Sequence, residues 1–171
     1  MMIAAFDVCY LADQCASAAA VLFSDYRDAE PFAVYTQFIP RAADYLPGEF
    51  YKRELPCLLA LLERMDKVPD EMVIDGYVML GERPGLGRHL FECFDGKIPV
   101  LGVAKSKFRG SLGAELFRGR SLRPLYITAA GMEQREACER IKRMHGDHRL
   151  PTLLRRVDHL ARENARQGRR S

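Results

Sequence analysis

Two aspartates stand where a carboxylate is costly to keep. Asp7 interrupts the apolar run at residues 2–10 (MIAAFDVCY), and Asp75 closes the run Met72-Val73-Ile74 just before Gly76. A carboxylate inside an apolar strand is expensive to desolvate unless it binds a cation or lies at the strand's rim. If the two strands are neighbours, both groups meet at one edge of a sheet. There they offer the hard oxygen donors that Mg²⁺ prefers, with positions left for water and a phosphate. Each also has a structural reading, because Asp75-Gly76 suits a turn and Asp7 could cap a helix or pair with an arginine. Lys105, at the end of the apolar run Val100–Ala104, is either a point charge for the same chemistry or a solvated lysine at a strand end.

The elements that must position these residues follow from the hydrophobic pattern. Residues 2–10, 15–23 and 32–39 read as three strands of an opening antiparallel meander. After the Pro- and Gly-punctuated segment DYLPGEFYKRELP, Leu55, Leu58, Leu59 and Leu62 recur at helical spacing. The runs at 72–74 and 100–104 resemble buried parallel strands whose C-terminal ends carry polar groups. A hairpin follows, from 115–117 to 125–128, and then two helices at 133–144 and 151–165, divided by the turn at 145–148. The expected fold class is α/β, a mixed sheet with an antiparallel meander followed by parallel strands, flanked by helices. One domain over residues 1–166 is expected, with a basic tail at 167–171.

Hydrophobic residues make up 48% of the 171 and charged residues 29%, so the chain can bury a core and is far from a disordered composition. No run approaches the length of a membrane span, and the N-terminus lacks the marks of a signal peptide. A cytoplasmic protein with no membrane partner is expected. Five scattered cysteines without a Cys-x-x-Cys pair argue for reduced thiols and against a zinc site. Net charge is only +3, but Arg155, Arg156, Arg162, Arg166, Arg169 and Arg170 crowd the C-terminal end against Asp158 and Glu163. That clustering suits a polyanionic partner or, equally, a solvated helix face. No feature calls for a protein partner, and a monomer is expected.

Longer motifs narrow the reading. The chain carries Phe-Asp-Val-Cys-Tyr at 6–10, Tyr-Leu-Pro-Gly-Glu-Phe-Tyr-Lys-Arg-Glu at 45–54 and Asp-Gly at 75–76. Gly-Leu-Gly-Arg-His-Leu follows at 85–90, Gly-Val-Ala-Lys-Ser at 102–106, and Arg-Leu-Pro at 149–151 with Arg155 and Asp158 beyond. In identity, order and approximate spacing this series resembles the endonuclease V family over nearly the whole chain.

The resemblance implies a ribonuclease H-like sheet, with Asp7 and Asp75 as Mg²⁺ ligands and Glu54 acting on the metal directly or through water; Mn²⁺ is an alternative ion. Lys105 would contact the scissile phosphate or position the nucleophile, and Asp158 would be a further polar residue of the site. Tyr45, Leu46 and Pro47 match the family's wedge, which inserts where the altered base leaves the helix. Gly48, Phe50, Gly76 and Gly85 correspond to the pocket that holds the base. The implied activity is hydrolysis of a phosphodiester on the 3′ side of a deaminated base such as inosine, in DNA or RNA.

The pattern departs from the family in one stretch. Where Asp-Gly-x-Gly-x-x-His-Pro-Arg is usual, the chain has Asp-Gly-Tyr-Val-Met-Leu-Gly-Glu-Arg at 75–83. Gly81 thus replaces the active-site histidine, Val78 the second glycine and Glu82 the proline, with one residue deleted before Gly85. Thr152-Leu153-Leu154 replaces Glu-Pro-Thr, and Met132 replaces a polar residue. Glu82 is a candidate replacement polar group near the metal. His89, His145 and His148 are assigned no role. The altered loop supports a rival reading, a nucleic-acid-binding protein of the same fold with little or no hydrolysis. A weaker third reading is a related nuclease with a different structural target.

Overall fold

The computed structural model describes residues 1–11, 14–44 and 46–168. β1 (Ile3–Tyr10), β2 (Ala16–Phe23) and β3 (Ala33–Ile39) form the expected antiparallel meander. After α1 (Tyr51–Leu62), β4 (Glu71–Asp75) enters parallel to β1. A short hairpin, β5 (Met79–Leu80) with β6 (Arg83–Pro84), leads into α2 (Leu86–Cys93) and then β7 (Val100–Ala104), parallel to β4. β8 (Ala114–Leu116) and β9 (Leu125–Ala130) close the far edge, β9 running antiparallel to both β7 and β8. α3 (Gln134–Arg143) and α4 (Thr152–Gly168) complete the described chain. The main sheet is ordered β3-β2-β1-β4-β7-β9-β8.

Helices cover both faces, which is why the central strands read as unbroken apolar runs and not as alternating ones. Ile3, Ala5, Val21, Val73, Leu101 and Val103 pack with Ile141 of α3 and Leu153, Val157 and Ala161 of α4. Ala4, Phe6, Ala20, Leu22, Met72 and Ile74 face the other way, against Leu58 and Leu61 of α1 and Leu90 of α2. Side chains alternate between faces along a strand. Asp7 therefore shares the α4 face with Ile3 and Ala5, and Asp75 shares it with Val73. Lys105, just beyond β7, continues the row of Leu101 and Val103. The registers Phe6↔Ile74 and Asp75↔Val103 bring these three positions to one end of the parallel strands. Ligand sites in open α/β sheets form at that carboxyl end.

Two elements were not expected from the sequence, the β5–β6 hairpin and α2. The hairpin strands have two residues each and α2 only eight, too short for periodicity to mark. α2 also carries Gly87 in its first turn, which helix propensity disfavours, and Gly85 at its N-cap. They serve packing: a Cβ on Gly87 would lie 2.7 Å from Val78 Cγ2. α4 runs through Gly168 and so takes in the first two residues of the expected tail; residues 169–171 lie outside the described residues. Among the described residues, no helix is long and apolar enough to cross a membrane.

Gly102 of β7 is where the strand ends are drawn together. A Cβ there would lie 2.6 Å from the Gly76 carbonyl oxygen, 2.6 Å from Thr128 Oγ1 and 3.0 Å from the Val78 nitrogen. The Val78 N–H donates to Thr128 Oγ1 at 2.9 Å, so the obstacle is a hydrogen-bonded crossing and not a flexible side-chain tip. Gly102→Ala is expected to destabilise the fold by about 2 kcal/mol through overpacking. Thermal denaturation should register this as a loss of about 4–8 °C; an unchanged melt would mean that the crossing yields freely.

Candidate functional site

Five side chains meet at the carboxyl ends of the parallel strands. Asp7 and Asp75 rise from β1 and β4, Lys105 follows β7, Asp158 comes from α4 and Glu54 from the first turn of α1. Glu54 thus reaches the strand ends from one face of the sheet and Asp158 from the other. The Lys105 ammonium lies 2.7 Å from Asp75 and 3.8 Å from Asp158, and Arg162 holds Asp158 at 3.0 Å. Asp7 accepts the Val8 N–H at 2.9 Å. The end of β7 is pinned twice. Arg149 donates to the carbonyls of Lys105 and Pro124. The Tyr77 hydroxyl donates to the Ser106 carbonyl at 2.7 Å and accepts the Phe108 N–H at 3.0 Å. Neither Arg149 nor Tyr77 was singled out from sequence, although Arg149 opens the Arg-Leu-Pro motif and Tyr77 follows Asp-Gly.

Burial and mutual repulsion dominate the electrostatics. Asp7 and Glu54 are 8% and 4% exposed. Burial first, then the charge of Asp75 and a hydrogen bond to Asp158, push the Asp7 carboxyl up to about 7. Burial, then Asp75 and Asp7, hold Glu54 well above the usual carboxylate range. Burial also raises Asp158, but hydrogen bonds from Arg162 and Asp7 outweigh it and keep this carboxyl below its ordinary value. Burial opposes the charge on Lys105, yet the hydrogen bond to Asp75 and the surrounding carboxylates prevail and raise its pKa.

The donor set suits a hard divalent cation. Asp7, Asp75 and Asp158 surround Lys105, Glu54 borders Asp75 from the α1 side, and among the described residues its buried Oε2 atom has no hydrogen-bond partner. Such an orphaned oxygen is costly unless a cation or proton satisfies it. As the side chains stand, no three acidic, histidine or cysteine groups among the described residues converge as a ready-made ion site; the Lys105 ammonium supplies the positive charge instead. Mg²⁺ or Mn²⁺ fits the chemistry of these oxygens.

Cavities open on both sides of the carboxylates. On the α4 side a space of about 20 Å³ is bounded by Asp7, Asp75 and Lys105 together with Leu150, Leu154 and Val157, enough for a water molecule. On the α1 side a mostly apolar pocket of about 290 Å³ is lined by Glu54, Asp75 and Gly76, with Gly48, Phe50, Tyr51, Tyr77, Gly85 and Phe108. All four residues expected to form a base pocket therefore line one cavity. Leu46–Glu49 is a tight turn closed by the Glu49 N–H on the Leu46 carbonyl at 3.0 Å. Pro47 and Gly48, the latter at φ +80°, fit a type II turn. Gly85 is held to glycine by packing, since a Cβ would sit 2.6 Å from the Tyr77 carbonyl oxygen. Leu46, Phe50 and Phe108 are 48%, 42% and 43% exposed, leaving apolar surface here for a partner to cover. Tyr45 lies outside the described residues.

The altered loop has its own geometry. Gly81, at φ +64°, and Glu82 form the two-residue turn between β5 and β6, and glycine suits the first central position of a II′ turn. Glu82 is exposed at that tip and has no hydrogen bond or ion pair among the described residues, so nothing ties it to the carboxylates. His89 stacks on Tyr51 with ring centroids 3.6 Å apart, bracing the pocket wall. His145 Nδ1 pairs with Thr152 Oγ1 at 3.0 Å in the turn before α4.

The raised Asp7 carboxyl has a consequence for stability. The folded chain keeps this proton to about pH 7, whereas the ordinary value is 3.8. Folding therefore takes up a proton between those limits, and stability falls as pH rises through that window. Asp7→Asn removes the ionisation. With chelator present, this variant should melt above the parent at pH 8 by a margin worth about 1–3 kcal/mol. The margin should shrink towards pH 4; an equal margin at both pH values would refute the assignment.

Comparison with known proteins gives the chain its relatives. The family model of endonuclease V matches residues 1–136. The endonuclease V of Xanthomonas oryzae is 32% identical over 111 residues, 64% of this chain and 46% of that protein. The chain thus spans about half the length of this and similar Xanthomonas relatives. Among solved structures, human ENDOV superposes with a TM-score of 0.82 at 23% identity, over 98% of this chain and 85% of that one. Endonuclease V of Ciona intestinalis, solved with a 24mer DNA containing an inosine followed by a ribo-adenosine, gives 0.80 at 17% identity, over 97% and 86%. At these identities the superpositions speak for the fold, the ribonuclease H-like mixed sheet flanked by helices. The family model, matched over residues 1–136 of the 171, shows that the chain belongs to the endonuclease V family.

Proposed function

We propose that the chain is a divalent-metal-dependent endonuclease that hydrolyses a phosphodiester bond on the 3′ side of a deaminated base, inosine, in DNA or RNA. The observation that carries this reading is the gathering of Asp7, Asp75 and Asp158 around Lys105, with Glu54 and Asp75 lining a pocket of nucleobase size on the α1 side. Family membership supports it, as does the Ciona relative's complex with inosine-containing DNA.

In this reading Asp7, Asp75 and Glu54 would hold Mg²⁺ or Mn²⁺, which would supply Lewis-acid polarisation of the phosphate and a water of lowered pKa, more readily available as hydroxide. Lys105, kept charged by its carboxylate neighbours, leaves Asp75 to pair with a phosphate oxygen and offsets the charge that develops there. Arg162 keeps Asp158 ionised beside Asp7, and the proton that Asp7 gives up when a cation enters passes to solvent. Phe50, Tyr51 and Phe108 exclude water from the pocket. The positive-φ backbone at Gly76 lets a base edge come close to main-chain groups. Leu46 and Pro47, on their stiff turn, form the edge that stands in for an extruded base.

One observation favours a second reading, inosine-selective binding without turnover: the family's histidine is replaced by Gly81 on a hairpin whose tip carries only the unattached Glu82.

Oligonucleotides of DNA and RNA, single-stranded and duplex, with and without one inosine, separate the two readings. Incubation with Mg²⁺ or Mn²⁺ should cut the inosine strands on the 3′ side, and chelator should stop it. Inosine-selective binding with no cutting under either ion would select the second reading. Asp75→Asn and Lys105→Ala should each lower the cleavage rate by at least about a hundredfold, while affinity measured in chelator changes only a few-fold. Full activity in Asp75→Asn would overturn the metal assignment.

A further inference from the structure

Arg155 is exposed on α4, and its guanidinium has no hydrogen bond or ion pair among the described residues. It lines a surface groove of about 530 Å³ with Leu150, Thr152, Arg156, Asp158 and His159. The groove begins at the carboxylate centre. Leu150 also bounds the small space at Asp7 and Asp75, and Asp158 lies within reach of Lys105. The nucleobase-sized pocket opens from the same centre on the opposite, α1 side, where Glu54 and Asp75 line it. The two cavities thus flank the carboxylates.

Charge distinguishes the groove from an ordinary helix surface. Its one carboxylate, Asp158, is already paired with Arg162 and near Lys105. Arg156 pairs with Glu30, and His159 with Glu163 at 3.2 Å. Arg155 alone is left uncommitted, on the same helical face as Asp158 three residues on. A planar guanidinium with all its donors free is suited to a phosphate group.

We propose that this groove is a second nucleic-acid subsite, which takes the sugar-phosphate backbone on the 3′ side of the cut with Arg155 on a phosphate. The direction rests on the function proposed above: with the altered base in the α1-side pocket and the cleaved linkage over the carboxylates, the continuing strand leaves towards α4. Arg155 is a binding group here and takes no part in the bond cleavage.

The test is binding in chelator, read by fluorescence anisotropy, so it does not depend on turnover. Inosine-containing single strands that end just past the cut site are compared with strands extended by four nucleotides on the 3′ side or on the 5′ side. For the parent chain the 3′ extension should tighten binding about 5–10-fold at low salt. Arg155→Ala should lose most of that gain, and the slope of log affinity against log salt should fall by about 0.7. Arg155→Glu should weaken binding further, and neither variant should change the gain from the 5′ extension. Both should melt with the parent, since Arg155 holds no protein partner. Retention of the full 3′ gain and salt slope by both variants would overturn the proposal, as would a loss confined to 5′-extended strands. Equal binding of inosine and inosine-free strands would count against the base pocket alone; the groove is then judged on the salt slope of the inosine-free strand.

Discussion

Keeping four carboxylates at the end of one sheet is the constraint around which this chain is organised. Their repulsion is met by distributing them over different elements and by giving each a different answer. Lys105 neutralises Asp75, Arg162 neutralises Asp158, and the buried pair is left to hold protons, Asp7 near neutrality and Glu54 well above its usual range. Among the described residues Glu54 Oε2 has no hydrogen-bond partner. A fold that gained stability alone would replace such a group with an apolar one.

The hydrophobic layers exist on both faces of the same strands, and their role at the site is to hold the strand ends at fixed separation. α1 carries Glu54 in on Leu58 and Leu61, while α4 carries Asp158 in on Leu154, Val157 and Ala161. Where the strand ends converge, side-chain volume is removed: Gly102 lets the Gly76 and Val78 backbone cross it, and Gly85 lets α2 start against the Tyr77 carbonyl. Tyr77 and Arg149 then tie down the segment after β7, so that the Lys105 backbone is fixed although its side chain is long and flexible.

The Gly81–Glu82 turn stands outside the residues that line the cavities at the carboxylates. A glycine in the left-handed region closes a two-residue turn that a larger side chain enters only with strain. The hairpin packs against α2, which the stack of His89 on Tyr51 joins to α1.

Much of this was legible in the residues themselves. The strand runs, the final two helices and the mixed character of the sheet follow from apolar spacing, because period two or 3.6 is a local property of the chain. Asp7 and Asp75 stood out for the same reason, as polar groups at odds with their surroundings, and the ordered motifs from Phe6 to Asp158 pointed to the family. Distances between elements were not legible. That Glu54 and Asp158 approach from opposite faces depends on how α1 and α4 dock. That Tyr77 and Arg149 pin Lys105 depends on contacts spanning 29 to 44 residues. The short hairpin and α2 exist because Val78 and Gly87 pack together, against their own weak propensities. Local sequence determined which residues share a face; only the tertiary fold, through strand register and helix docking, decided which of them meet.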